Sequence, residues 1–189
     1  MTQLLEVLRR VRELNVEALS RAIDAEVRPF VEPAYRMADG SIAVEGPLDL
    51  PLRADLIRRE EDTAGDEIQV DPARSLEFEP ILFQMRGAEV RVEAFGWDYA
   101  EILADVPESA DLSPLQEWFM SWFDAEDAST PDETGLYRVV HFMSDPEYDD
   151  HRLAFIVDFG SAPVDAWVSL MERLVELGAK QIITRRATD

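Results

Sequence analysis

Gly135-Leu-Tyr-Arg-Val-Val-His-Phe-Met143 and His151-Arg-Leu-Ala-Phe-Ile-Val-Asp-Phe159 are two runs rich in β-branched and aromatic residues. Between them stands Ser144-Asp-Pro-Glu-Tyr-Asp-Asp150, polar and dense in turn formers. The pattern predicts strand, turn, strand. Tyr137, Val139, Met143, Leu153, Phe155 and Val157 fall on one face, and Val140, Phe142, Ala154 and Ile156 on the other. Apolar residues on both faces predict a sheet covered on both sides, or nearly so. A helix is expected next, from Pro163 to about Leu177. Val164, Trp167, Val168, Met171, Leu174 and Val175 recur there at three and four residues,. Pro163 suits the first turn, Ser161 or Ala162 the cap, and Gly178 the left-handed residue after the end,. Lys180-Gln-Ile-Ile-Thr184 then closes a strand–helix–strand unit, crossing over right-handed into the same sheet,.

Working outward, Thr2 to about Ala25 reads as an amphipathic helix. Leu4, Leu8, Val11, Ala18 or Leu19, Ala22 and Ile23 form its stripe, and Glu6, Arg9, Arg10, Glu13, Glu17 and Arg21 its wet face,. Asp39-Gly40 predicts a type I′ hairpin between Tyr35–Ala38 and Ser41–Glu45,. Leu48–Ile57 reads as a third strand, kept near an edge by Pro47 and Pro51,. Arg58–Ser75, with Glu60-Glu61-Asp62 and Asp66-Glu67, reads as a solvated loop,. It would subdivide an otherwise single domain, 1–189, into 1–57 and 76–189. Phe78–Met85 and Glu89–Phe95 predict a hairpin turning at Arg86-Gly87-Ala88, with one wet face,.

A further helix is expected from Pro114 to about Ala125. Ser113 would cap it and Gln116 complete a capping box,. Leu115, Trp118, Phe119, Trp122 and Phe123 make a stripe dense enough to be core,. The elements together predict an α+β fold. Its centre is a mainly antiparallel sheet, with the 114–125 and 163–177 helices packed on it, the N-terminal helix alongside and a C-terminal βαβ crossover.

Composition narrows the function. The chain has no cysteine, which excludes disulfides, thiolate catalysis and cysteine-ligated zinc,. Glu6, Arg9, Arg10 and Arg12 interrupt any leader-like apolar core, and no apolar run reaches membrane-span length,. A cytoplasmic location is expected, with no membrane partner. The formal net charge of −22 excludes the cationic footprint of a nucleic-acid binder,.

No catalytic, nucleotide or metal motif stands out. Gly-x-Ser-x-Gly is absent,. His141 and His151 are the only histidines and flank the acidic turn. Pairing Met143 with His151 would point both imidazoles to one face. With Asp145, Glu147, Asp149 or Asp150 they resemble neither a calcium loop nor a helical zinc motif, so no metal and no cofactor is expected there.

Charge distribution says more. Between Asp105 and Asp150 there are thirteen acids against Arg138 alone, a local net of −12. Charges within a Debye length of about 8–10 Å reinforce one another and steer cations. The expected partner surface is therefore acidic: Asp124, Glu126, Asp127, Asp132 and Glu133, with Asp145, Glu147, Asp149 and Asp150. The element order, apart from the final strand, resembles that of small acidic secretion-chaperone-like domains. That resemblance implies protein binding and dimerisation. The sequence thus points to a non-enzymatic domain for a basic protein partner, such as an inhibitor, immunity protein or chaperone. The alternatives are an enzyme with a carboxylate or metal site near 141–151, and a structural assembly subunit.

Overall fold

The computed structural model of the chain describes residues 2–60, 63–72 and 74–187. In chain order the elements are α1 (Thr2–Ala25), β1 (Phe30–Val31), β2 (Val44–Glu45), β3 (Leu50–Pro51), β4 (Leu56–Glu60) and β5 (Thr63–Ile68). They continue with β6 (Ile81–Met85), β7 (Ala88–Val92), β8 (Ala100–Ala104), α2 (Ser113–Phe123), β9 (Phe142–Met143) and β10 (Glu147–Asp149). The last are β11 (Arg152–Asp158), α3 (Val164–Glu176) and β12 (Gln181–Arg186). The class is α+β, as the sequence predicts.

A sheet of seven strands organises the molecule. Its order is β10-β11-β8-β12-β7-β6, with β9 also on β11. All pairings are antiparallel except β12 with β7. Both β11 and β12 run antiparallel to β8 between them, so β11-α3-β12 joins two mutually parallel strands. Alternation sets the core face. Val90, Val92, Ala100, Ile102, Ala104, Leu153, Phe155, Val157 and Ile182 are all buried in one cluster with the apolar stripes of the three helices,. The small Ala100 and Ala104 leave room above β8 for the large side chains of those helices.

The opposite face is only partly closed over, the lesser of the two coverings expected. Ala154, Ile156, Leu103 and Ile183 are only half-buried there, and Arg185 pairs with Glu101 across the strands. Antiparallel sheets tolerate one partly wet face.

Helix ends differ from expectation in their chemistry more than in their limits. Ser113 does not cap α2: Leu112 occupies that position without a side-chain bond. Asp111 instead accepts from the backbone N–H and hydroxyl of Ser113. Gln116 closes no capping box and donates to the Leu48 carbonyl at 2.7 Å. Trp118, with 2% exposed, is buried as expected, but Trp122 is only half-buried. At α3 the cap is Pro163, not Ser161 or Ala162. Its other end is a Schellman motif: Gly178 N–H donates to Val175, and Ala179 N–H to Leu174, with Gly178 at φ 104°,.

The largest departure is in 135–150. Gly135–His141 forms no strand, although Leu136, Val139, Val140 and His141 are buried. Arg138 is left-handed, at φ 63°, and breaks the extended path,. The acidic run 144–150 is not one turn either. Met143 lies opposite Val157 and Glu147 opposite Ala154, so four steps on one strand match three on the other. The extra residue falls within 144–146, between β9 and β10, and acts as a bulge; Pro146 there has no N–H to donate,. The turn itself is Asp150-His151, at φ 46° and 60°, a two-residue type I′ connection,.

Other segments are shorter or more ordered than expected. The 35–45 hairpin keeps one bridge, Arg36 with Ile42. Gly40 has positive φ and Asp39 does not, so its turn is not type I′,. The expected 48–57 strand divides into β3 and the start of β4. Arg58–Ser75 is no plain loop, because β4 and β5 pair antiparallel through its first half. Glu61 and Asp62 of the expected acidic loop lie outside the described residues.

Candidate functional site

His141 enters the core because the irregular 135–141 segment is pinned on both sides. Its N–H donates to the Asp158 carbonyl at 3.0 Å, and its own carbonyl accepts from Arg53 N–H at 3.0 Å. The side chain is 1% exposed and surrounded by acids. Nε2 lies 2.7 Å from Glu32 Oε1, and Nδ1 lies 2.9 Å from Asp55 Oδ1 and 3.7 Å from Asp158 Oδ2.

Each acid is held by a different element. Glu32, fully buried, sits left-handed at φ 47° just after β1, a strained position for a non-glycine residue,. Its Oε2 accepts from Tyr137 N–H at 2.6 Å. Asp55 precedes β4 and accepts from Val70 N–H at 2.8 Å. Asp158 ends β11 and accepts from Gly160 N–H at 2.7 Å. Behind them, Asn15 and Arg12 of α1 donate to the carbonyls of Gly160, Ser161 and Ala162. Arg53, also buried, donates to the carbonyls of Glu32, Phe123 and Asp124 and to Asp127 Oδ1. The guanidinium therefore closes the C-terminus of α2, where a cation is favoured.

These contacts shift the proton affinities of the histidine and two of its acids. Burial opposes charge on His141, but Asp158, Asp55 and Glu32 outweigh it and hold its pKa well above the ordinary value,. Burial likewise pushes Glu32 up, yet the His141 partnership and the Tyr137 N–H leave it below the ordinary range. Asp158 stays raised, because burial exceeds the pull of the imidazolium. Nearby, Asp98 is pushed to about 6 by burial and by the fields of Asp158, Asp71 and Asp55. Asp98 and Asp71 line a cleft of about 500 Å³ with Trp97, whose buried Nε1 has no hydrogen-bond partner among the described residues.

The two histidines do not meet. His151 sits in the β10–β11 turn, its side chain 90% exposed and 3.2 Å from Glu108. The bulge and the added strand between the histidines send one inward and the other to solvent.

The acids singled out from the sequence fall into two groups. Asp124 accepts from the N–H groups of Ala128 and Ser129, Asp127 pairs with Arg36 and Arg53, and Asp132 with Arg138. Glu126 and Glu133 are exposed. This run is tied through Arg53 and His141 to the Asp158 end of β11. Asp149 and Asp150 lie at the opposite, Arg152 end, six residues or about 20 Å away,. Glu147, Asp149 and Asp150 are exposed, while Asp145 is half-buried against Gly46. Among the described residues, none of these four is within ion-pair distance of a cation. The structure thus brings neither run onto the other.

Sequence reading missed Glu32, Arg53, Asp55 and Asp158, which come from three separate segments, Arg53 and Asp55 sharing one. Comparison with family models, curated proteins and solved structures finds no match to this chain.

Proposed function

We propose that this chain is a protein-binding domain that receives a basic partner at the acidic edge formed by residues 145–150. An inhibitor, immunity protein or chaperone is the concrete form. One observation carries the reading: Glu147 and Asp149 on the terminal strand of the large sheet, with Asp150 in the turn after it, stand exposed and, among the described residues, without a cation in ion-pair reach. Elsewhere acids of the same region are matched by Arg36, Arg53 and Arg138. The bare outer edge of β10 offers backbone groups for an added strand, and its charges select a basic one. A second copy of the chain, itself at −22, is repelled from the same edge,. An enzyme at the histidine centre is less well supported, since a substrate would have to reach an imidazole that is fully enclosed,.

The test is capture from the lysate of the protein's own source at low salt, followed by stopped-flow association with the captured protein. A variant carrying Asp145→Asn, Glu147→Gln, Asp149→Asn and Asp150→Asn should slow association at least tenfold with little change in dissociation. Rising ionic strength should slow the unmodified chain towards the variant. Association that ignores both salt and the substitutions would show that the acid only solubilises. Self-association without a heterologous partner would favour the assembly subunit.

A further inference from the structure

We propose that Asp55, His141 and Asp158 bind one divalent cation of the Zn²⁺ or Mn²⁺ class, with Glu32 orienting the histidine from the far side of its ring. This goes beyond partner binding at the strand edge and involves none of the same residues. His141 Nδ1, Asp55 Oδ1 and Asp158 Oδ2 all lie within 4.8 Å of one another. Donors about 2.1 Å from a common ion are about 3.0 Å apart at a right angle and about 3.4 Å at the tetrahedral angle. The observed 2.9 Å and 3.7 Å from the imidazole nitrogen bracket those spacings. One imidazole with two carboxylates suits borderline divalent ions better than calcium, which takes oxygen alone.

The other ring nitrogen supplies the independent mark. A ligating histidine characteristically donates its free N–H to a carboxylate, which fixes the tautomer and the ring plane. Glu32 is in that position at 2.7 Å, and is itself held by Tyr137 N–H. The ring is confined further by Gly160, which has no side chain to displace it. Donors held this firmly need little rearrangement to close on an ion.

The alternative is a clip, in which a protonated imidazole joins the segments and nothing else binds. A clip needs one carboxylate per nitrogen, and Glu32 with Asp55 already provide that. Asp158 Oδ2, 3.7 Å from the same nitrogen as Asp55, is a third carboxylate that a clip does not use. The side chains of Asp55 and Asp158 are 14% and 22% exposed, so the ion has a route in and a water can complete its coordination,.

The probe is ZnCl₂ alone, with MnCl₂ as a second arm, added to chain stripped of metal by a chelator. Equilibrium dialysis with elemental analysis should give one equivalent bound at micromolar or lower free Zn²⁺, and the melting temperature should rise with it. Asp158→Asn keeps both short contacts of His141 and should weaken that equivalent at least tenfold. Asp55→Asn should do the same, and Glu32→Gln should weaken it 10–100-fold through the histidine. The quadruple variant at 145–150 should retain it, which separates this site from diffuse attraction to an acidic protein. Absence of a tight equivalent, or affinity unchanged in Asp158→Asn when that variant melts cooperatively, would make the cluster a clip.

Discussion

Gly160 and His141 are in such close contact that a Cβ on residue 160 would lie 2.3 Å from the imidazole Cδ2. Gly160 also has φ +50°, its N–H bound to Asp158 and its carbonyl to Asn15. Gly160→Ala therefore meets backbone strain and a buried ring at once. A loss of about 2–4 kcal/mol is expected in urea unfolding. A change below half a kcal/mol would mean that the ring can move aside.

Arg53 is 5% exposed and serves three carbonyls and a carboxylate. Arg53→Met keeps much of the stem but removes the guanidinium from the carbonyls of Glu32 and Phe123, while Asp124 and Asp127 keep the Asp127 N–H and Arg36 as partners. The expected cost is about 3–5 kcal/mol by chemical denaturation. Arg36→Met, on the exposed side of Asp127, should cost under about 1 kcal/mol by the same assay,.

Asp98 gives a pH signature. Its native pKa of about 6 exceeds the ordinary value of 3.8, so the native state binds its proton more tightly than the unfolded chain. The associated stability is fully present below pH 3.8 and is lost as pH rises through about 6. Asp98→Asn removes that loss. The variant should be more stable than the parent at pH 7.5, by roughly 1–2 kcal/mol after allowance for solvent screening, and no more stable at pH 4. Melting curves across that range decide it, and a gain that grows toward low pH would reverse the assignment.

Tryptophan accessibility tests the helix placements. Trp167 is fully buried, its Nε1 donating to Thr184 Oγ1 at 3.2 Å, whereas Trp122 is half-buried at the α2 surface. Among variants that retain one tryptophan each, iodide should quench Trp122 and spare Trp97, Trp118 and Trp167. Trp167→Ala should cost about 3–5 kcal/mol.

The elements legible from sequence are those whose signal is local. Spacing of three and four locates the helices, and alternation in Glu89–Glu93 locates β7 with its turn at Arg86-Gly87. β8 escaped notice because Ala100-Glu-Ile-Leu-Ala104 has few β-formers, although it lies near the middle of the sheet,. Residues 135–141 misled in the other direction. Their valines and aromatics favour a strand, but bonds from Val140 to Trp122 and from Ala162 to Val139 hold them to a helix end and a loop. The acidic run was visible as composition. Which of its members meet arginines depended on Arg36, Arg53 and Arg138, the first two lying 91 and 74 residues from Asp127. The histidine centre was least legible, because four residues from four segments converge only after the sheet has formed.

β12 is the last strand of the sheet in sequence, yet it lies between β7 and β8. Those two strands, separated by a short connection, cannot settle as neighbours, because the slot between them is reserved for residues about eighty positions later. During synthesis both wait with bare edges, open to pairing with another nascent chain. Closure requires α3 to carry the final strand from β11 across β8 and insert it lengthwise, making contacts on two sides in one step. High contact order of this kind slows folding and makes it cooperative. The sheet should therefore acquire its middle last.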